Sequence, residues 1–528
     1  MRLTPEQRAR YGPAAGLVCV MASCAAAYAY VFVHPFLLLV DNQAYYLLAE
    51  ALLDGHGYTE TWLPEPKPAN HFPPGYPVLL AGWMGVVGVS VFNAKLLSGC
   101  MLLGVVGATY TLSAAVTEDR RMALVITAFV ALNAVMLRYG SLVMSEMAFA
   151  LPSLLALLVL LKSRGATGRV AQAGWLALTV LCLGASYYVR SIGLFLTVAI
   201  ITGGVLGKRW REAGAVGIGF ALLALPWFIY GRRLGGNTYS QALFAKEWHL
   251  RELGPASPLE ILGRIPENAA GYLSGPMVEA LMPGYALWTA GWVPAVVALM
   301  ALMLIAAGFG WWTLPALRAE IGTYVACSIG ILLVWGPGWV HIRFLVPLLP
   351  LMLMAAVWGG WSLLSRAAKE PLSPYLLLPL LAFSGMALKE ERAWAQEPDG
   401  LNWMNARALA VQAASLLPQD AVVAARSDDQ VAYLTGRKTV YLTASRDADR
   451  LMEGLAQQRA THVWIDQSSR NVYWRYVVPI IDANPQHFER IARVTGARRF
   501  ERDGRVLASE LYRFYPDGDA PPGGAEGR

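Results

Sequence analysis

Long apolar runs separated by short polar loops fill the first three quarters of the chain. Stretches long enough for, or close to, the roughly 20 residues that cross a bilayer fall near 14–39, 91–116, 122–144, 147–161, 170–187, 191–206, 213–230, 287–310, 321–336, 344–364 and 372–388. The pattern predicts about eleven transmembrane helices, those at 147–161 and 191–206 being short. Two more segments read as interfacial helices: DNQAYYLLAEALLDGHGY, which starts at Asp41 and ends in a glycine-rich turn, and the apolar run 76–90.

Beyond residue 389 the periodicity changes. Short β-like runs (AVVAA at 421–425, KTVYL at 438–442, THVWI at 461–465) alternate with helical ones such as 446–458 and 473–481. This predicts a small α/β domain over 389–515, followed by a disordered tail, 516–528. Residues 1–388 then form a polytopic α-helical membrane domain with outer loops at 40–90 and 231–286. The second loop is long for a connection, and YSQALFAKEWHL at 239–250 suits an interface, so it is expected to cover a cavity beside Asp41.

Composition agrees. With 528 residues, 56% of them hydrophobic and 15% charged, the chain carries too little charge for a soluble protein of this size. Basic residues gather in every second loop: Arg2, Arg8 and Arg10; Arg120 and Arg121; Lys162, Arg164 and Arg169; Lys208, Arg209 and Arg211; Arg318; Arg366 and Lys369. Short cytoplasmic loops are enriched in Lys and Arg, which puts these loops and the amino terminus inside and the carboxy-terminal domain outside the cytoplasmic membrane. Topology accounts for much of the net charge of +7, so no nucleic-acid partner is implied. The run from Ala14 to Val40 exceeds a signal-peptide core and reads as an uncleaved span. All five cysteines fall within predicted spans, and none has metal-type spacing.

Candidate chemistry sits at the outer ends of the spans. Asp41 follows the first apolar run, where a carboxylate either caps a helix or does chemistry. Glu146 lies between two apolar runs, either capping a helix or facing water, a cation or a partner. Arg190 and Arg343 are outer-side cations that either snorkel to headgroups or bind an anion. Tyr45 and Tyr46 either line a cavity or belong to the aromatic belt. His71 packs on its neighbouring prolines, or binds substrate or metal. The Asp428-Asp429 pair suggests a nucleotide-sugar metal site, but with no full sugar-nucleotide fold around it the pair reads as a helix cap or turn.

Asp41 after the first span, HFPPGYPVLLAG at 71–82, NAKLLSG at 93–99, SEMAF at 145–149 and RFLVPLLP at 343–350 together resemble a known family. The chain is similar to GT-C glycosyltransferases of the dolichyl-phosphate-mannose protein mannosyltransferase-like group, which includes the bacterial aminoarabinose transferases of lipid A. The resemblance runs over 14–365, and the segment 417–442 is similar to extracytoplasmic tails of some bacterial members.

The resemblance implies transfer of a sugar, with inversion, from a polyprenyl-phosphate donor to an extracytoplasmic acceptor that is a lipid, glycan or protein. Asp41 matches the catalytic acid of the family and Glu146 its second acid. In that chemistry Asp41 is the base that activates the acceptor. Arg343, and after it Arg190, would hold the departing phosphate. Glu146 would orient the acceptor or, with His71, bind a divalent ion. One departure stands out: where the aminoarabinose transferases carry an acidic-basic pair before Pro-Pro, this chain has His71 and Phe72. A flippase of lipid-linked sugars would show repeat symmetry and broken midplane helices, which the sequence lacks. A non-enzymatic envelope scaffold would leave Asp41 and Glu146 unexplained.

Overall fold

The computed structural model describes residues 5–37, 41–236, 238–281, 293–336, 339–369, 372–396, 400–466, 472–495, 500–502 and 505–521. It divides into two compact units. One comprises Met1–His34, Asn70–Asn237 and Ile261–Gln396, the other Pro35–Ala69, Thr238–Glu260 and Glu397–Arg528.

The first unit is a helical bundle. Among the described residues, six helices are long and apolar enough to cross a membrane: Gly12–Tyr30, Val91–Thr117, Glu146–Gly165, Arg169–Val189, Trp210–Arg233 and Ile342–Ala368. Arg120–Ala131 with Ala134–Gly140 makes a seventh if that pair, bent by 61°, counts as one span. Shorter apolar helices cover Gly75–Val87, Ser191–Leu206 and Val297–Thr313. Large apolar side chains such as Leu181, Ile218, Leu222 and Phe228 point outward, an arrangement that suits acyl chains and not water. The protein is a multi-pass membrane protein.

The departures from an unbroken set of spans have local causes. The first helix, Pro5–Tyr30, stops well short of the apolar run's end. Pro35 cannot continue a helix and disfavours helical geometry at His34. The buried Lys95 ammonium donates to the carbonyls of Val33 (2.7 Å) and His34 (3.3 Å), serving backbone that the ended helix leaves unpaired. The predicted span 122–144 breaks at Asn133. That side chain accepts from the Met136 amide (3.1 Å) and donates to the Ala280 carbonyl (2.9 Å), so it starts a new helix and ties it to a distant segment. Prolines 374 and 379 hold Pro374–Leu381 in a 3-10 helix where the apolar run 372–388 begins. Part of the 287–310 run lies outside the described residues, and its helix is described from Val293 to Thr313. Of the tail 516–528, residues 522–528 lie outside them too.

At one end of the bundle three basic loops meet. Arg164 bonds Glu212 (2.6 Å) and Glu320 (2.6 Å), and Arg209 reaches the same two carboxylates at 3.4 and 3.5 Å. Three of the six basic segments are therefore together in space, and the two acids balance cations that would otherwise repel one another.

The second unit is built on a five-stranded sheet. Its order is Lys438–Tyr441, Val422–Ala425, His462–Ile465, Ser509–Phe514, Phe488–Val494; the first three strands are parallel and the last two antiparallel to their neighbours. Side chains alternate across a strand. Val463 and Ile465 enter a core with Val440, Leu451, Tyr473, Ile481 and Phe514, whereas Trp464 enters another with Leu409, Ala413, Val423 and Leu511. Helices cover both faces, which is why these strands read as continuous apolar runs.

Segments far from the tail in sequence belong to this unit. Leu250 joins the first of the two cores. His249 Nδ1 lies 2.8 Å from the Tyr441 hydroxyl, and Glu252 accepts from the Ser445 hydroxyl and the Arg446 amide, each at 3.0 Å. The loop carrying Asp41 is held more extensively. The Thr439 amide donates to the Trp62 carbonyl (2.9 Å), Lys438 Nζ to the Thr61 carbonyl (2.7 Å) and Arg407 to the Phe36 carbonyl. The rings of Phe36, Tyr46 and Tyr433 form a mutually edge-on trio with centroids 4.9–6.0 Å apart.

Candidate active site

In the membrane unit, Glu146 opens the Glu146–Gly165 helix and is fully buried. Arg190 follows the end of the Arg169–Val189 helix, and its Nη1 donates to Glu146 Oε1 (2.9 Å) and Ser145 Oγ (2.9 Å). The backbone turns tightly here. A Cβ on Gly193 would lie 2.8 Å from the Tyr187 nitrogen, so the chain can fold back over its own last turn with glycine at that position. Glu146 thus meets a cation from the first turn of its helix.

Arg343 lies in the Ile342–Phe344 3-10 turn and is buried. His341 Nδ1 accepts from the Arg343 amide (3.2 Å). The Arg343 guanidinium sits 4.8 Å from the centroid of Phe344, and the Arg190 guanidinium 6.0 Å from the same ring. One aromatic ring thus gathers both cations named from the sequence. Buried Tyr139 lies within electrostatic reach of both Glu146 and Arg343.

The Pro-Pro loop docks alongside. A Cβ on Gly75 would meet the Tyr188 carbonyl carbon and oxygen at 2.6 Å, so glycine is what lets the loop press against the chain just before Arg190. Tyr76 is carried by that contact into the interior, where its hydroxyl lies 3.4 Å from Ser98 Oγ and within electrostatic reach of Glu146. His71 stacks edge-on against Phe72 with ring centroids 4.4 Å apart. Among the described residues no three His, Cys, Asp or Glu side chains gather as a metal site would require. Glu146 has one oxygen committed to Arg190.

In the second unit, buried Asp41 is the N-cap residue of the Asn42–Leu53 helix, yet its side chain makes no capping bond there. The Asn42 and Gln43 amides turn back to the Leu37 carbonyl, at 3.1 and 2.7 Å. Tyr45 and Tyr46 are both buried, Tyr46 within the aromatic trio. Asp428 and Asp429 open the Asp428–Thr435 helix. Trp62 Nε1 donates to Asp428 Oδ2 (2.9 Å). Burial, then the charges of Asp428 and Asp41, hold the Asp429 carboxyl well above the usual carboxylate range. Burial, with the nearby Asp428 charge, pushes Glu60 up to about 7.

The sequence named Asp41, Glu146, Arg190, Arg343, His71, Tyr45 and Tyr46. It did not name Phe344, Tyr139, Tyr76, Trp62 or Asp429 as functional, although Phe344 and Tyr76 lie inside motifs that were quoted. An aromatic or acidic residue next to a named one carries no sign of which distant side chain it meets.

Comparison with known proteins finds one family and several similar folds. The model of the dolichyl-phosphate-mannose-protein mannosyltransferase family matches residues 43–234. No match was found among curated proteins. The fold is similar to that of ArnT from Cupriavidus metallidurans bound to undecaprenyl phosphate, with TM-score 0.55 and 12% identity over 93% of this chain and 97% of that one. It is also similar to the Archaeoglobus fulgidus oligosaccharyltransferase complexed with zinc and sulfate, with TM-score 0.52 and 12% identity over 84% and 67% of the two chains. The same archaeon's AglB, complexed with an inhibitory peptide and a dolichol-phosphate, matches with TM-score 0.50 and 12% identity over 85% and 69%. Over residues 43–234 the chain is thus similar to the protein mannosyltransferase family, and its fold is similar to those of ArnT and the archaeal oligosaccharyltransferase.

Proposed function

We propose that the protein transfers a sugar from a polyprenyl-phosphate carrier to an acceptor outside the cytoplasmic membrane, with inversion at the anomeric carbon and Asp41 as general base. The amino terminus is cytoplasmic in this reading and the sheet-bearing unit extracytoplasmic. The observation that carries it is the meeting of Arg190 and Arg343 on Phe344, which makes a cationic surface from elements far apart in the chain. Such a surface suits a phosphate that gains charge as it departs, and it stabilises the transition state more than the bound donor. Similar folds have been seen with undecaprenyl phosphate and with a dolichol-phosphate, carriers of the kind proposed.

Each residue then has a task. Arg343 binds the phosphate through its planar fork. Glu146 fixes Arg190 by a charged hydrogen bond and so acts through it. Asp41 takes the proton from the acceptor hydroxyl or amine as the new glycosidic bond forms and the bond to phosphate breaks.

The test uses purified full-length protein and a panel of undecaprenyl-phosphate-linked mannose, glucose, galactose and aminoarabinose, with envelope extract as acceptor and release of undecaprenyl phosphate as readout. Asp41→Asn is expected to lower the rate roughly 10²–10⁴-fold while still binding undecaprenyl phosphate. Near-normal release by that variant would remove Asp41 as the base.

A further inference from the structure

Beyond the carboxyl end of the edge strand Lys438–Tyr441, the chain passes through residues 442–447 into the Ala448–Gln457 helix. Open α/β sheets place their ligands at that end of their parallel strands. Here the loop, one side of the helix and the Arg251–Leu253 turn line a cleft of about 490 Å³ that lies wholly within the second unit. Its volume falls in the range of roughly 300–1,000 Å³ that small-molecule sites occupy.

The lining is of two kinds. Leu442, Leu451 and Leu455 belong to the sheet's core and give the cleft an apolar floor. Arg251, Arg450 and Gln458 supply polar groups around it. The Arg251 guanidinium is steadied by the Trp248 ring, 4.7 Å from the centroid. Glu252 serves the loop, its two oxygens accepting from the Ser445 hydroxyl and the Arg446 amide. Two guanidinia in the lining therefore stand against one carboxylate that is already bonded, and the lining is net positive.

Two further features point to an occupant. Gly454 lies within the helix and lines the cleft, and a Cβ there would meet nothing within 4 Å. Glycine weakens a helix interior, and no packing calls for it here; what the missing side chain leaves is room in the cleft. Gln458 Oε1 is buried with no hydrogen-bond partner among the described residues, a state that buried polar atoms seldom keep.

We propose that this cleft binds an anionic saccharide, a sugar unit bearing a carboxylate or a phosphate. The planar forks of Arg251 and Arg450 suit either anion. The apolar floor takes the C–H face of the sugar ring, and a ring hydroxyl serves Gln458 Oε1 once that side chain turns into the cleft. On the reading given above, with an acceptor glycosylated on this side of the membrane, the ligand is a remote part of that acceptor. Holding it raises the acceptor's local concentration without touching the reacting atoms.

The experiment titrates trigalacturonate, mannose 6-phosphate, mannotriose and inorganic phosphate, each alone, against full-length wild type, Arg450→Gln and Gly454→Trp in detergent, read by ligand-observed NMR. At least one acidic sugar is expected to bind wild type with Kd on the order of 1 mM or tighter, and the tighter of the two identifies the anion as carboxylate or phosphate. Arg450 is exposed, so its replacement should leave the fold intact and weaken that binding about tenfold or more. Gly454→Trp should abolish it by filling the cleft, in a helix that tryptophan suits better than glycine. If Gly454→Trp does not fold, the Arg450→Gln result decides. Binding of neither acidic sugar, or an affinity unchanged in Arg450→Gln, overturns the proposal. So does mannotriose or inorganic phosphate binding as tightly as the better acidic sugar, since the site would then select only a sugar or only an ion. Binding is read without turnover, so the two readings fail separately. A cleft that binds in a protein inactive towards every polyprenyl-phosphate sugar removes the transfer reading alone, whereas an active enzyme that binds none of the four probes removes the cleft alone.

Discussion

Arg190 and Arg343 share the Phe344 ring, but their surroundings differ, and so should the effect of disturbing each. Arg190 is partnered by the fully buried Glu146. Removing that charge with Glu146→Gln leaves the guanidinium without its counter-ion in a dry setting, a change that typically costs about 3–5 kcal/mol. Thermal unfolding of Glu146→Gln in detergent should therefore fall well below that of wild type, and an unchanged melting temperature would mean that the pair does not hold Arg190. Arg343→Lys keeps the charge and loses the bidentate fork. We expect wild-type melting with slower donor turnover for this variant; wild-type kinetics would mean Arg343 takes no part in phosphate binding.

At the scale of elements, the sheet carries a pH dependence of its own. The buried His462 imidazole, on the central strand, is pushed down to about 4 by burial and by the Arg513 charge. The unfolded chain binds its proton near 6.5. Below that pH the unfolded state holds more protons than the folded one, so this contribution is complete above about 6.5 and is lost as pH falls towards 4. Glu60 and Asp429, both raised, work in the opposite sense and lose stability as pH rises. A comparison with His462→Gln isolates the histidine. Proteolysis within 400–521 of the full-length protein should accelerate between pH 6.5 and pH 4.5 more steeply in wild type than in the variant; equal slopes would exclude His462 as the cause.

For the whole molecule, the meeting of Arg164, Arg209, Glu212 and Glu320 places loops around 164, 209 and 320 at one end of the bundle. Their basic character makes that end the cytoplasmic one in the proposed orientation. In a variant with all five cysteines replaced, an exposed Gln419→Cys should react with a membrane-impermeant maleimide in intact cells. Labelling that requires permeabilised cells would invert the orientation and put Asp41 on the wrong side for an extracytoplasmic acceptor.

Much of this was written into short stretches of sequence. Apolar runs marked the helices at 91–117 and 210–233, the run at 41–58 marked the Asn42–Leu53 helix, and β-like runs at 421–425, 438–442 and 461–465 marked three strands of the sheet. Those features depend on side-chain periodicity and length, which are local properties. Helix ends were legible less often. Asn133 breaks an apolar run because its amide finds the Ala280 carbonyl, and Lys95 serves the carbonyls after Tyr30 from another helix. The site shows the same division. Charge in an apolar setting was enough to single out Asp41, Glu146, Arg190 and Arg343, since burial of a charge is costly wherever it occurs. That Glu146 meets Arg190, that both arginines meet Phe344, and that Trp62 bonds Asp428 was decided by tertiary structure alone. Each is a contact between segments far apart in the chain, and such a contact leaves no period, spacing or composition in either segment from which its partner could be read.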